Sequence, residues 1–243
     1  MPTPEELKII CQKRREREKN QRIQTILAAA RRVFSAKGYL KATMDEIALE
    51  AEVAKPTVYL YFKTKDDLFF SLMAPLIEDT CEELKKLESR LLEGEIKSGK
   101  ALISSLMKAL YRGYESHPDT FRILQIFQQE GMVNELEPEL RNSLNEKGRE
   151  NFNLCRRILT LSVERGLIKE VNVYELADLL WGLLVGVIQL EDVKSDARKG
   201  HRLKTKTLAL AERILIEALS IEEGREKNED DGYSSSNGPA HFG

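Results

Sequence analysis

The stretch TMDEIALEAEVAKPTVYLYF, from Thr43 to Phe62, decides how the rest of the chain is read. Met44, Ile47, Ala48 and Ala51 recur at helical spacing on one face. Thr43 followed by Glu46 is the S/T-x-x-E capping box that opens a helix. A break at Glu52 to Ala54 comes next, and Lys55-Pro56 starts a second short helix, because proline in a first turn forfeits only an N–H that would have lacked a partner. Val58 and Phe62 share a face that can pack on the first helix. The opposite face carries Pro56, Thr57 and Leu60, flanked by Tyr59 and Tyr61, with Lys55 and Lys65 at the ends. Thr and Leu suit base edges and thymine methyls, while Tyr hydroxyls and Lys ammonium groups suit phosphates. Pattern alone leaves two readings open: a helix that enters a DNA major groove, or a helical hairpin with no ligand.

The run Ala42 to Ala48, ATMDEIA, followed by Val53 to Leu68, VAKPTVYLYFKTKDDL, resembles the N-terminal domain of TetR-type transcriptional regulators over roughly Gln21 to Leu72. Hydrophobic spacing, caps, tyrosines and the trailing lysine all fall in register. The resemblance implies a DNA-contacting set of Thr43, Lys55, Pro56, Thr57, Tyr59, Leu60, Tyr61 and Lys65. One departure is Glu52, where such proteins commonly have Gly at the turn.

Composition sets the outer bounds. The 243 residues, 42% hydrophobic and 32% charged, have the balance of a soluble globular chain. Helical periodicity recurs almost throughout, so the expected fold is all-α with about nine helices. The net charge of −2 hides an asymmetry: residues 1–65 hold 14 Lys/Arg against 8 Asp/Glu, a balance of +6, and the other 178 residues carry −8. The basic end is the expected DNA end. Three widely spaced cysteines, Cys11, Cys81 and Cys155, fit neither a disulfide framework nor a zinc site. His117, His201 and His241 are isolated. No metal-ligand spacing, glycine-rich phosphate loop or nucleophile pattern stands out, so neither cofactor nor catalysis is expected. With no secretory h-region, and the longest apolar stretch, Leu176 to Leu190, short of the ~20 residues of a membrane helix, no membrane association and a cytoplasmic location are expected.

Taken in order, residues 1–20 form a charged extension containing KRREREK (13–19), readable as a solvated end or as a basic arm. Residues 21–65 form the helix-turn-helix domain, beginning with an amphipathic helix over 21–37 that Gly38 can cap. The resemblance implies that residues 66–223 form a helical effector-binding and dimerisation domain. Thr64 caps its first helix, which runs to about Glu93 with a kink expected near Ser71 to Pro75. Further helices are expected over 101–116, 118–130, 138–165, 173–191 and 203–223. The polar residues 224–243 read as a disordered tail.

Two constellations lie beyond the motif. Helix 173–191 is apolar nearly all round, and Gly182 and Gly186 would let another backbone come close. TetR-like proteins pair their last two long helices across a dimer, and the resemblance implies an interface at Leu180, Gly182, Leu183, Gly186, Val187, Leu208, Ala211, Leu215 and Leu219. A symmetric pair would read half-sites about one helical turn apart in a near-palindromic operator of double-stranded DNA. The second constellation comprises Met107, Tyr111, Tyr114, Phe121, Gln125, Phe127, Phe152 and Trp181. These are residues either of plain core or of an apolar pocket for a small hydrophobic effector: a fatty-acyl compound, an aromatic compound or a cationic drug. The expected protein is thus a homodimeric, ligand-responsive repressor. A DNA-binding adaptor that senses nothing and an all-α enzyme are the rival readings.

Overall fold

Three threonines start three helices by one device. In each, the Thr hydroxyl accepts from the backbone N–H three residues on, and the acid there accepts from the Thr backbone N–H: Thr3 with Glu6, Thr43 with Glu46, Thr64 with Asp67. These caps open α1 (Pro4–Lys41), α2 (Met44–Glu50) and α4 (Lys65–Leu92); α3 (Lys55–Tyr61) starts on Pro56 instead. The computed structural model describes residues 3–129, 131–194 and 202–221. Within them follow α5 (Gly99–Ser116), α6 (Pro118–Gln129), a 3-10 turn (Met132–Glu135), α7 (Pro138–Glu164), α8 (Val173–Lys194) and α9 (Arg202–Leu219). The all-α architecture holds: nine α-helices and no strand occur among the described residues, apart from a single bridge between Ile168 and Ser220.

One boundary differs from expectation. The charged extension is helical from Pro4 and continuous with the first helix, because a Thr3 cap and Pro4 at the first position start it well before residue 21. Gly38 does end the regular stretch, with φ 74° and ψ 164°. α4 runs as a single element through Pro75, whose ring lies on the exposed side. The expected tail, with His241, and His201 fall outside the described residues.

The core is one connected apolar cluster from Ile26 to Leu219. In the N-terminal part Ile26, Ala30, Ile47 and Val58 are fully buried, which packs α2 and α3 onto α1. An aromatic knot ties this part to the rest. Phe69 of α4 stacks 4.3 Å from Phe127 of α6, and Tyr39, just past the end of the regular part of α1, meets Phe69 at 5.0 Å and Phe127 at 5.1 Å. Burial and the Asp66 carboxylate, which accepts from the Tyr39 hydroxyl, push the Tyr39 pKa up and keep the phenol protonated.

Further along, α4 and α5 cross closely at Gly113. A Cβ there would stand 2.4 Å from Thr80 Oγ1 and 2.7 Å from the Leu76 carbonyl oxygen. Gly113→Ala therefore forces the two helices apart, with an expected loss of about 1–3 kcal/mol, measured by denaturant unfolding. Val173–Leu190 in α8 is long and apolar enough, by length and composition, to cross a membrane, contrary to the sequence expectation. Part of its surface packs on the core through Leu176, Leu180, Leu184 and Ile188.

Candidate functional site

The turn between α2 and α3 is built as a Schellman motif: the Val53 N–H reaches the Ala48 carbonyl at 3.0 Å and the Glu52 N–H reaches the Leu49 carbonyl at 3.1 Å. That geometry needs a left-handed residue, and Glu52 supplies it with φ 54°. A side chain there carries a cost of about 1–2 kcal/mol. Glu52→Gly removes it and, net of glycine's greater freedom when unfolded, is expected to gain about 1 kcal/mol and raise Tm by ~2–4 °C in a thermal melt.

With the turn closed, α3 turns Val58 wholly inward and leaves Leu60 76% exposed, beside exposed Lys55, Pro56 and Tyr59. Thr57 and Tyr61 are half-buried at its edges. An exposed Leu on a short helix, ringed by Tyr, Pro and Lys, is the surface expected of a helix that touches base edges. Lys55 bridges to Asp45 at 2.7 Å across the two helices, and this hydrogen-bonded partner raises its pKa. So exposed a pair is held weakly, so the ammonium is free to leave for a phosphate. Thr43 is exposed, and although its oxygen caps α2, its hydroxyl hydrogen is still available to donate. Lys41 and Lys63, which no motif singled out, are exposed cations next to the ends of the same stretch.

Lys65 is tied into the fold. Its ammonium donates to the carbonyls of Tyr39, Leu40 and Ala42 at 2.8, 3.3 and 3.2 Å and sits 4.3 Å from the centre of the Tyr39 ring. All three protons are spent on orphan carbonyls at the end of α1, and burial lowers the pKa. It holds the junction between α1 and α4 together.

The second candidate site is a cavity of about 500 Å3 between α4, α5, α6, α7 and α8, within the range of small-molecule pockets. Of the residues expected there, Tyr114, Phe121, Phe152 and Trp181 line it. The others do not. Phe127 belongs to the aromatic knot, Met107 is buried away from the walls, and Tyr111 stacks on Tyr114 at 5.3 Å without reaching the cavity. Gln125 is buried off the walls too, with Nε2 lacking a hydrogen-bond partner.

Walls that sequence reasoning missed come from α4 (Leu76, Ile77, Thr80) and from α7 (Leu144, Asn145, Gly148, Arg149, Asn151, Cys155). On α7 these recur at helical spacing, a signal masked by their mixed chemistry. Burial pushes the Cys155 thiol up to about 12, so it acts as apolar wall and not as a nucleophile. Asn151 donates to the Ile77 carbonyl at 3.1 Å, but its own side-chain oxygen is buried without a partner. Arg149 is exposed, its Nε donates to the Asn145 carbonyl at 3.3 Å, and it has no carboxylate partner among the described residues. Most of the cavity surface is apolar, with one such cation on its wall.

The last surface is on α8 and α9. Leu180, Leu215 and Leu219, expected to meet a second chain, are buried within this one, Leu180 at 0% exposure, because the core takes the other of two apolar faces. Leu183, Val187, Leu208 and Ala211 are half-buried. Leu179 and Ile214, each 56% exposed, lie open together with Leu190, Leu210 and the backbones of Gly182 and Gly186, around whose missing Cβ nothing of this chain comes within 4 Å.

Residues 26–72 match the family described as bacterial regulatory proteins, tetR family. The fatty acid metabolism regulator protein of Bacillus subtilis (strain 168) is 31% identical over 158 residues, spanning 63% of this chain and 74% of that protein. Among solved structures, the transcriptional regulator FadR from Bacillus subtilis in complex with stearoyl-CoA is 26% identical over 79% of this chain and 97% of its own, with a TM-score of 0.55. The TetR family transcriptional regulator PfmR from Thermus thermophilus shares the fold, with a TM-score of 0.65 at 20% identity over the same 79% of this chain and 97% of its own.

Proposed function

The chain belongs to the TetR family of bacterial regulatory proteins, DNA-binding transcriptional regulators, and within it we propose a homodimeric repressor that leaves its operator when a fatty-acyl compound fills the cavity. The observation that carries this reading is the cavity itself. Leu76, Leu110, Leu124 and Leu144 with the rings of Phe121, Phe152 and Trp181 give an acyl chain apolar walls. Arg149 supplies a cation for an anionic head group, and the unpaired oxygen of Asn151 accepts from an amide N–H such as a thioester carrier provides. The stearoyl-CoA complex of the similar FadR favours an acyl thioester over an aromatic compound or a cationic drug.

The link from cavity to DNA follows from continuity. α4 carries Leu76, Ile77 and Thr80 on the cavity wall and Phe69 in the aromatic knot, and α6 carries Phe121 and Leu124 on the wall and Phe127 in the knot. An occupant that spreads α4 from α6 therefore tilts the reading head. Pairing through the open face of Leu179, Gly182, Gly186 and Ile214 sets the distance between two heads, and a change in that distance weakens both half-site contacts at once. A tenfold loss of DNA affinity needs only about 1.4 kcal/mol of differential binding. Such a regulator works at the chromosome, so we place it in the cytoplasm, with no catalytic step of its own.

Selecting bound duplexes from a random pool tests the reading. Recovery of a near-palindrome with half-sites about one helical turn apart, depleted when an acyl thioester is added, is the expected result. A pool with no consensus, or one with a single unpaired half-site, would overturn it.

A further inference from the structure

The first five turns of α1 stand clear of the body: every side chain from Glu5 to Arg22 is exposed. Continuity with the packed part of α1 spares this stretch the cost of nucleation, and the Thr3–Glu6 capping box closes its far end. At 1.5 Å per residue it projects roughly 28 Å. The other end of α1 abuts Phe69 and Phe127 of the effector domain, so the projection runs away from that domain and past the reading head.

Seven Lys/Arg and four Glu lie between Glu5 and Arg22, and four of the cations fall in one line. Lys8, Arg15, Lys19 and Arg22 recur at i, i+7, i+11 and i+14, which is one side of a helix. Glu5, three residues before Lys8, and Glu18, three after Arg15 and four before Arg22, flank that side, but none of the four cations has a carboxylate partner among the described residues. Arg14, off the stripe, is instead paired with Glu18 at 2.8 Å. The stripe is also in phase with the core. Five turns beyond Lys8 lies Ile26 and five turns beyond Arg15 lies Val33, both buried where the rest of the N-terminal domain covers α1. The cations therefore face the side on which that domain sits.

We infer that this strut is a second DNA contact, laying Lys8, Arg15, Lys19 and Arg22 along phosphates that flank each half-site, outside the groove read by α3. The inference rests on the DNA-binding reading above and adds to it a non-specific, salt-sensitive part of the affinity. A strut of this length covers a little under one turn of duplex. Ile10 lies exposed on the opposite side and Leu7 on the flank, so a protein partner for the strut is the outcome the test must separate.

The test uses the full chain and a variant with Lys8→Gln, Arg15→Gln, Lys19→Gln and Arg22→Gln, since glutamine keeps helix propensity. Each is titrated, over a range of salt, against a selected operator duplex trimmed to its half-sites and against the same duplex with about 10 base pairs added at each end. The unaltered chain is expected to bind the longer duplex at least tenfold more tightly at low salt, with a log–log salt slope steeper by about 0.9 for each flanking phosphate engaged. The variant is expected to bind both duplexes alike, as the unaltered chain binds the short one. Equal binding of both duplexes by the unaltered chain overturns the inference while leaving the reading of α3 intact, as does a preference that survives in the variant. A change in the mass of the free protein in sedimentation, with DNA binding unmoved, also overturns it and assigns the strut to a protein contact. Binding of neither duplex by the unaltered chain overturns the DNA reading itself.

Discussion

Phe69→Ala is expected to cost the folded chain about 3–5 kcal/mol and to lower Tm by roughly 10 °C. The ring is fully buried and touches three others, Phe34 at 5.9 Å, Tyr39 at 5.0 Å and Phe127 at 4.3 Å. Removing it opens a hole where the reading head meets the effector domain, and neighbouring rings, tied by the Tyr39–Asp66 hydrogen bond, can collapse into it only in part. Phe69→Leu, which keeps most of the apolar volume, is the informative companion. It should leave the chain folded by circular dichroism while reducing the effect of an effector on DNA affinity, because the contact from α4 and α6 to α1 is slackened. A Phe69→Leu protein with full effector response would show that the signal travels by another route.

The second large effect is expected from Gly148→Trp. This glycine lies on the α7 wall of the cavity with nothing within 4 Å of where a Cβ would stand. An indole there takes the space meant for an acyl chain, and replacing glycine in a helix interior by tryptophan costs no helix propensity. The expected protein binds its operator normally and needs at least tenfold more acyl thioester for release. Isothermal titration with the thioester and an operator-binding assay check the two halves separately. Loss of DNA binding together with effector binding would instead mean that the filled cavity itself mimics the effector.

What could be read from sequence divides along the range of the interactions involved. The reading head was legible because its signals are local: Thr43 with Glu46, Pro56 in a first turn, and Val58 four residues before Phe62 each act within one or two turns. The same held for most helix ends. The strut was legible only as a basic arm or a solvated end, and its helical form was not, because a charged stretch without an apolar face shows no helix until its Thr3 cap and its continuity with α1 are seen. The junction role of Lys65 was hidden for a related reason: lysine at a first helical turn suits a phosphate, and only the fold brings the Tyr39, Leu40 and Ala42 carbonyls to it.

The cavity and the open face were half legible. Periodicity marks which residues share a side of a helix, but the packing angles decide which side faces a cavity, a core or solvent. So Phe121 and Phe127, six apart on α6, serve different sites. On α8, apolar nearly all round, Leu180 went to the core and Leu179 to the outside. Asn151 and Arg149 carried no sequence signal, since polar residues on a long amphipathic helix usually face water; their place on the wall comes from how α7 lies against α4.

The central claim is that occupation of the cavity loosens the hold of α3 on DNA. Fluorescence anisotropy of a labelled, selected operator duplex, titrated with the unaltered chain in the absence and presence of saturating stearoyl-CoA, measures it directly. A Kd at least tenfold higher with the thioester present is the predicted result. A Kd that stays the same or falls would contradict the account.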